Sequence, residues 1–286
     1  MAVYERSYRG YAGPRADPKS RFLVVAHYAL QEVFASRLFT GFFFACLLWP
    51  LACAVVIYLK YNVEALSILE LDALELVPID ITFFRFGVLR PQTALAFVLI
   101  LIVGPALVAP DLRNNALPLY LSRPLNKTDY VLGKLVVLLG LGSVVTWVPG
   151  LLLFFFQGYL AEGWLAEHLN LARGIFLGSW LWILTLSLWA LAVSAWVKWR
   201  PWATIAFLGS LFIFSAVGQI FKVIYGTWWG SLLVFDDVMM RIWDQLFAVA
   251  EPRDLPAFWA WAALFVFAAF STWALYRRIR AYEVVS

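Results

Sequence analysis

Six stretches of this 286-residue chain (38–59, 91–110, 135–161, 174–197, 201–221 and 255–276) run for 20 residues or more without a single Asp, Glu, Lys or Arg. A hydrocarbon core of ~30 Å takes about 20 apolar residues of helix to cross, so each stretch is long enough to span it. The next longest charge-free run, 223–235, is too short. With 63% hydrophobic and only 14% charged residues, the chain also lacks the ionised groups that coat a soluble domain, where about 25% is usual. The runs are continuous and do not alternate in polarity. That excludes a β-barrel, whose strands turn every second residue toward lipid. The fold class read from these facts is an all-α membrane protein of six transmembrane helices, with spans about 38–59, 91–110, 131–157, 174–197, 201–221 and 255–276.

Charge placement predicts the orientation. The segments 1–37, 111–134, 198–200 and 277–286 fall on one side and hold 15 Lys/Arg against six acids; 60–90, 162–173 and 222–254 fall on the other and hold seven against 12. Basic residues are retained on the cytoplasmic side, so both termini are expected there. Residues 1–21 are a polar tail without the apolar core of a secretory signal, and are expected to remain as a cytoplasmic N-terminal tail. In 22–37, His27, Gln31 and Glu32 recur at helical spacing and leave a broad apolar face, which predicts a helix lying in the interface before span one. On the other side Phe83, Phe84 and Phe86 are expected to return the chain to the membrane surface. Gly226 and Gly230 break the apolar segment Tyr225–Val234, which predicts a half-entering hairpin or an interfacial helix.

The chemistry missing from the runs is also informative. An ionisable group inside a span marks a proton or ion relay, and the six runs contain no Asp, Glu, Lys, Arg or His. Proton-driven carriers and bis-histidine haem proteins are therefore disfavoured. Cys46 and Cys53 read as small buried thiols, and the two His, His27 and His168, supply no metal or catalytic set. Gly133-Lys134 ends no phosphate-binding loop, because Thr128 stands where the first glycine belongs and Leu135 where the hydroxyl belongs. No ATPase motif is present, so the chain is not expected to be an enzyme.

One segment between the runs carries more apolar surface than an idle loop needs. After Pro110, Asp111 is placed to cap a short helix containing Leu112, Leu117, Leu119, Tyr120 and Leu121, which Arg123-Pro124 ends. Asn126 with Asp129 then forms a capping pair that starts the helix of span three.

The string Leu117-x-Leu-Tyr-Leu-Ser-Arg-Pro-Leu-x-Lys-x-x-Tyr-Val-Leu-Gly-Lys134 resembles the signature of ABC-2-type permeases, the membrane subunits of ATP-binding-cassette exporters. The order of parts is similar across essentially the whole chain: an elbow helix at 22–37, a permease domain of six spans over 38–286, both ends inside, and the signature between spans two and three. The resemblance implies that Asp111, Leu112, Arg113, Leu117, Leu119, Tyr120, Leu121, Arg123 and Pro124 form the coupling segment on which a separate ATPase subunit docks, with elbow contacts from His27, Gln31 and Glu32. It implies no cofactor in this chain, ATP and Mg being held by the partner. It implies a second permease copy, with spans one, two and five along the route between the copies, an amphipathic or hydrophobic cargo, and a place in the bacterial inner (cytoplasmic) membrane with no nucleic acid involved.

Two other readings stay open at this stage. One is a non-transporting anchor or sensor that couples ATP hydrolysis to a periplasmic partner. The other is a membrane-embedded lipid-modifying enzyme, for which the acids of 60–90 and 236–254 are the available groups. The orientation makes a direct prediction: reporter fusions at Asn115 and Lys198 read cytoplasmic, and fusions at Leu74 and Glu251 read external. A reversed pattern contradicts it.

Overall fold

The structure is a computed structural model and describes residues 20–62, 78–116, 125–249 and 253–279. Among these residues all regular structure is helical, and six helical stretches are long and apolar enough to cross a membrane: Arg37–Lys60, Phe83–Arg113, Lys127–Leu160, Leu169–Trp196, Arg200–Tyr225 and Ala257–Arg278. Each contains one of the charge-free runs or most of it. The chain is thus a multi-pass helical membrane protein. The helices overrun the runs, however, so that Arg85, Arg90, Asp111, Arg113 and Lys134 are helical residues, contrary to the expectation that all charges stand off the spans.

Prolines divide two of the spans. Span one consists of α2 (Arg37–Ala45) and α3 (Leu48–Lys60), joined at Cys46–Leu47. Pro50 has no N–H to offer the Cys46 carbonyl, so the ladder breaks one turn before it. Span three consists of α5 (Lys127–Val145) and α6 (Trp147–Leu160), broken at Thr146 ahead of Pro149. The Thr146 hydroxyl donates to the Gly142 carbonyl at 2.8 Å, which satisfies a group near the break inside the bundle.

Span two opens with a π-helical stretch, Phe83–Leu89, that runs without interruption into α4 (Arg90–Arg113). Asp80 starts it by accepting the Phe83 N–H at 3.0 Å. The wider π turns leave backbone carbonyls free for other donors, and the Trp49 indole N–H of α3 takes that of Gly87 at 2.8 Å. Phe84 is fully buried here, with its ring 5.8 Å from Trp164 and 6.4 Å from Phe154. The Phe83–Phe86 stretch is thus part of a span, where the sequence predicted a surface return.

α7 (Leu169–Trp196) is the central helix and packs on α4, α5 and α10 (Ala257–Arg278). In its most apolar window 67% of residues are buried inside the chain, against 11% in α8 (Arg200–Tyr225), so α7 is the core and α8 the periphery. The α4–α7 contact is close. A Cβ on Gly104 would meet the Ala190 Cβ at 2.7 Å, so only glycine fits. One turn further on, Ser194 of α7 enters the hydrogen-bond ladder of α4. It accepts the Ala109 N–H at 2.9 Å and donates to the Pro105 carbonyl at 3.0 Å, bridging two groups that would otherwise bond each other.

Beyond α8 the chain folds back on itself. Gly226, at φ +61°, ends the helix in the left-handed region, and a 3-10 stretch, Trp228–Leu233, turns inward. Gly230 and Gly218 let the two backbones touch, since a Cβ on Gly230 would lie 2.3 Å from the Gly218 carbonyl oxygen. α9 (Phe235–Leu246) then climbs along α7, with the Trp243 indole N–H on the Gly178 carbonyl at 3.2 Å and Phe247 filling the space beside Gly174.

The Ser194 bridge predicts a measurable cost. Ser194→Ala removes both of these interhelical hydrogen bonds, each worth about 0.5–1.5 kcal/mol, and is expected to destabilise the protein by about 1–3 kcal/mol. Ser271→Ala removes a hydroxyl that only back-bonds to Phe267 of its own helix, and is expected to cost less than about 0.5 kcal/mol. Thermal unfolding of the two variants in detergent compares them.

Candidate functional site

The ends of the spans at residues 37, 113, 127, 196, 200 and 278 gather on one face, here termed the terminal face. Arg113 of α4 lies over the Trp199 ring at 4.2 Å, and the Trp196 indole N–H donates to the Ala274 carbonyl of α10 at 3.1 Å. α1 (Arg21–Phe34) lies on this face against α5 with Val25, Ala26 and Ala29 buried. Its seat is Gly133. A Cβ there would lie 2.7 Å from the Val25 Cβ and 2.8 Å from the Phe22 carbonyl oxygen. Gly133 is therefore a packing residue that lets the elbow approach the start of α5.

Next to that seat, Lys134 reaches Asp111 at 2.9 Å, and the Tyr130 hydroxyl donates to the same carboxylate oxygen at 2.7 Å. Both charged side chains are largely enclosed, at 6% exposure for Lys134 and 17% for Asp111. Burial removes the water that would screen the pair, so the attraction is stronger than at a surface, and leaving either partner alone is correspondingly costly. The three residues tie the end of α4 to the start of α5, and 117–124 is the segment between the tied ends.

These positions revise part of the sequence reading. Asp111 does not cap a new helix. It lies in the last turns of α4, which continues through Pro110 to Arg113 and stops where Asn115 takes φ +50°. Asp111, Leu112 and Arg113 therefore belong to span two. Leu117, Leu119, Tyr120, Leu121, Arg123 and Pro124 lie outside the described residues. The capping pair is present, with the Asp129 carboxylate accepting the Asn126 N–H at 3.1 Å. His27, Gln31 and Glu32 are all exposed on α1, and His27 Nε2 is 3.0 Å from Gln31 Nε2. Glu32, equally exposed, has a further neighbour. It borders a cleft of about 430 Å³ between α1–α2 and the α4–α8 pair, with Arg200 on the same rim.

The opposite face carries pairings that sequence reasoning missed. Asp244 of α9 is buried between Arg85 and Arg253, the latter at 3.0 Å. Asp236, at the start of α9, holds Arg90 through two bonds of 2.5 and 2.9 Å, and Asp237 holds Lys222 of α8 at 2.9 Å. The three acids of α9 thus fasten the returning segment to α4 and α8. The signal was available as opposite charges near the ends of runs that must share one face, but register along the helices was needed to pair them. No group of three or more His, Cys, Asp or Glu suited to a metal occurs among the described residues.

A scan against protein-family models finds no match for this chain, and a search of curated proteins finds no relative.

The terminal-face pair makes a prediction for a double-mutant cycle. Lys134→Met leaves the Asp111 carboxylate enclosed without its cation and is expected to cost about 3 kcal/mol or more. Adding Asp111→Asn to it is expected to restore most of that loss. Equal, additive losses in denaturant unfolding contradict a coupled pair.

Proposed function

We propose that this chain is the membrane subunit of an ATP-binding-cassette exporter of the ABC-2 type, acting as two copies driven by a separate ATPase that docks on 111–124. The observation that carries the reading is the way this segment is rooted. Both of its ends are tied to each other through Asp111, Lys134 and Tyr130. A push on a loop with loose ends is absorbed by the loop. A push on a loop whose ends are clamped moves α4 and α5 together, and α4 carries that displacement into α7 through Gly104 and Ser194. The helix α1 is seated beside the clamp on Gly133, which brings its free face close to Asp111 and Lys134.

The remaining features fit the same reading. α8 leaves Ile213, Val223 and Ile224 exposed along its length, and we assign this strip to contact with the second copy. The charge-free middle of every span suits a machine whose energy arrives through a partner. The terminal face is then cytoplasmic, in agreement with the distribution of basic residues.

The test is association with the cognate ATPase. The wild-type chain is expected to co-purify with it as a stable complex, and Leu117→Asp or Arg123→Glu to weaken that complex at least about tenfold, since a charge forced into a docked apolar segment removes an anchor of the interface. No complex with the wild-type chain, or binding indifferent to both substitutions, overturns the reading.

A further inference from the structure

Two clefts lie in series along α4, the first between it and α8 and the second between it and α1–α2, with Arg200 of α8 at its edge. The first, of about 440 Å³, is walled by Phe97 and Val98 of α4, Leu211 and Phe212 of α8, and Trp182 of α7, and the Arg90–Asp236 pair stands at its rim. The second, of about 430 Å³, is walled by Phe39, Phe42 and Ile102, with Glu32 and Arg200 at its rim. Between them the rings of Phe97 and Phe207 stack at 5.9 Å, and Phe207 is fully buried. From Arg90 to Leu107, which lines the second cleft, is about 25 Å along α4 at ~1.5 Å per residue, close to the ~30 Å of a hydrocarbon core. The charged rims therefore stand near the two headgroup levels, and the apolar walls face the acyl region.

The charges at each rim specify the ligand. Arg90 and Asp236 satisfy each other, yet their side chains remain 40% and 45% exposed. A guanidinium has five N–H donors and a carboxylate about four acceptor sites, so each keeps capacity for a further partner. Glu32 and Arg200 are both exposed, and among the described residues neither has an ion-pair partner. Each rim thus offers one cation and one anion with no net charge. An anionic head gains the arginine and is repelled by the acid, and a cationic head meets the reverse. Only a head carrying both charges satisfies both groups.

We propose that these two clefts along α4 bind a zwitterionic, chain-bearing lipid, one at each leaflet, with its phosphate on Arg90 or Arg200, its ammonium on Asp236 or Glu32, and its chain along the apolar walls. The Phe97–Phe207 pair separates the two sites. This deepens the export reading by naming a cargo class, but the binding itself needs no ATPase, so its test fails or succeeds separately.

The full-length protein is reconstituted in phosphatidylcholine vesicles containing a phosphatidylcholine with a diazirine on one acyl chain, irradiated, and the labelled residues are mapped. Labelling is expected to concentrate on 93–107 and 208–215. Val98→Trp or Ser215→Trp, each filling the first cleft from a different helix, is expected to abolish labelling there and to leave the second cleft labelled. If one variant does not fold, the other carries the test. Arg90→Ala is expected to reduce labelling of the first cleft about tenfold. Unlabelled phosphatidylethanolamine is expected to compete about as well as phosphatidylcholine, and phosphatidylglycerol about tenfold less well. Labelling spread evenly over the exposed side of α8 and unchanged by the filling substitutions overturns the proposal, as does equal competition by phosphatidylglycerol.

Discussion

Inside a bilayer no water is available to satisfy an unpaired backbone group, and the arrangement of this protein follows from how its helices stay hydrogen-bonded where prolines, glycines and buried hydroxyls bring them together. The central case is the α4–α7 contact. Ser194 from α7 enters the ladder of α4 between its two internal prolines and takes both the Ala109 N–H and the Pro105 carbonyl. One turn away Gly104 admits Ala190. A hydroxyl and a missing side chain thus hold the two most enclosed helices together. Spans one and three, by contrast, break ahead of Pro50 and Pro149.

With the middle of the bundle free of charge, the ionised residues act at its two ends. On the terminal face Lys134 and Asp111 close the root of the segment that joins spans two and three. On the opposite face Asp236, Asp237 and Asp244 each bind a cation from another part of the chain, so α9 is fixed in place despite being too short to span. The two ends are built differently. One ties the end of α4 to the start of α5, and the other fastens a returning segment to the bundle. In the proposed exporter the first receives the push of the ATPase.

The spans were legible in the sequence because lipid thickness sets their length and the absence of charge marks them. The helix before span one was legible from its periodicity, and the start of α5 from Asn126 and Asp129. Asp111 was misread because local capping logic treats Pro110 as a stop, whereas a membrane helix tolerates proline and continues to Asn115. Its true role depends on Lys134, 23 positions away and recognisable only once α4 and α5 are side by side. The π-helical entry to span two was hidden for a similar reason. Arg85 and Arg90 look like surface charges until α9 brings Asp244 and Asp236 to them.

The central claim is that an attached ATPase uses this chain to move an amphiphile across the bilayer. It is tested most directly by reconstituting the chain with its cognate ATPase in phosphatidylcholine vesicles and following a head-labelled phosphatidylcholine between leaflets. The account predicts movement in one direction that requires ATP and Mg. ATP turnover with no movement of the lipid, or movement indifferent to ATP, contradicts it.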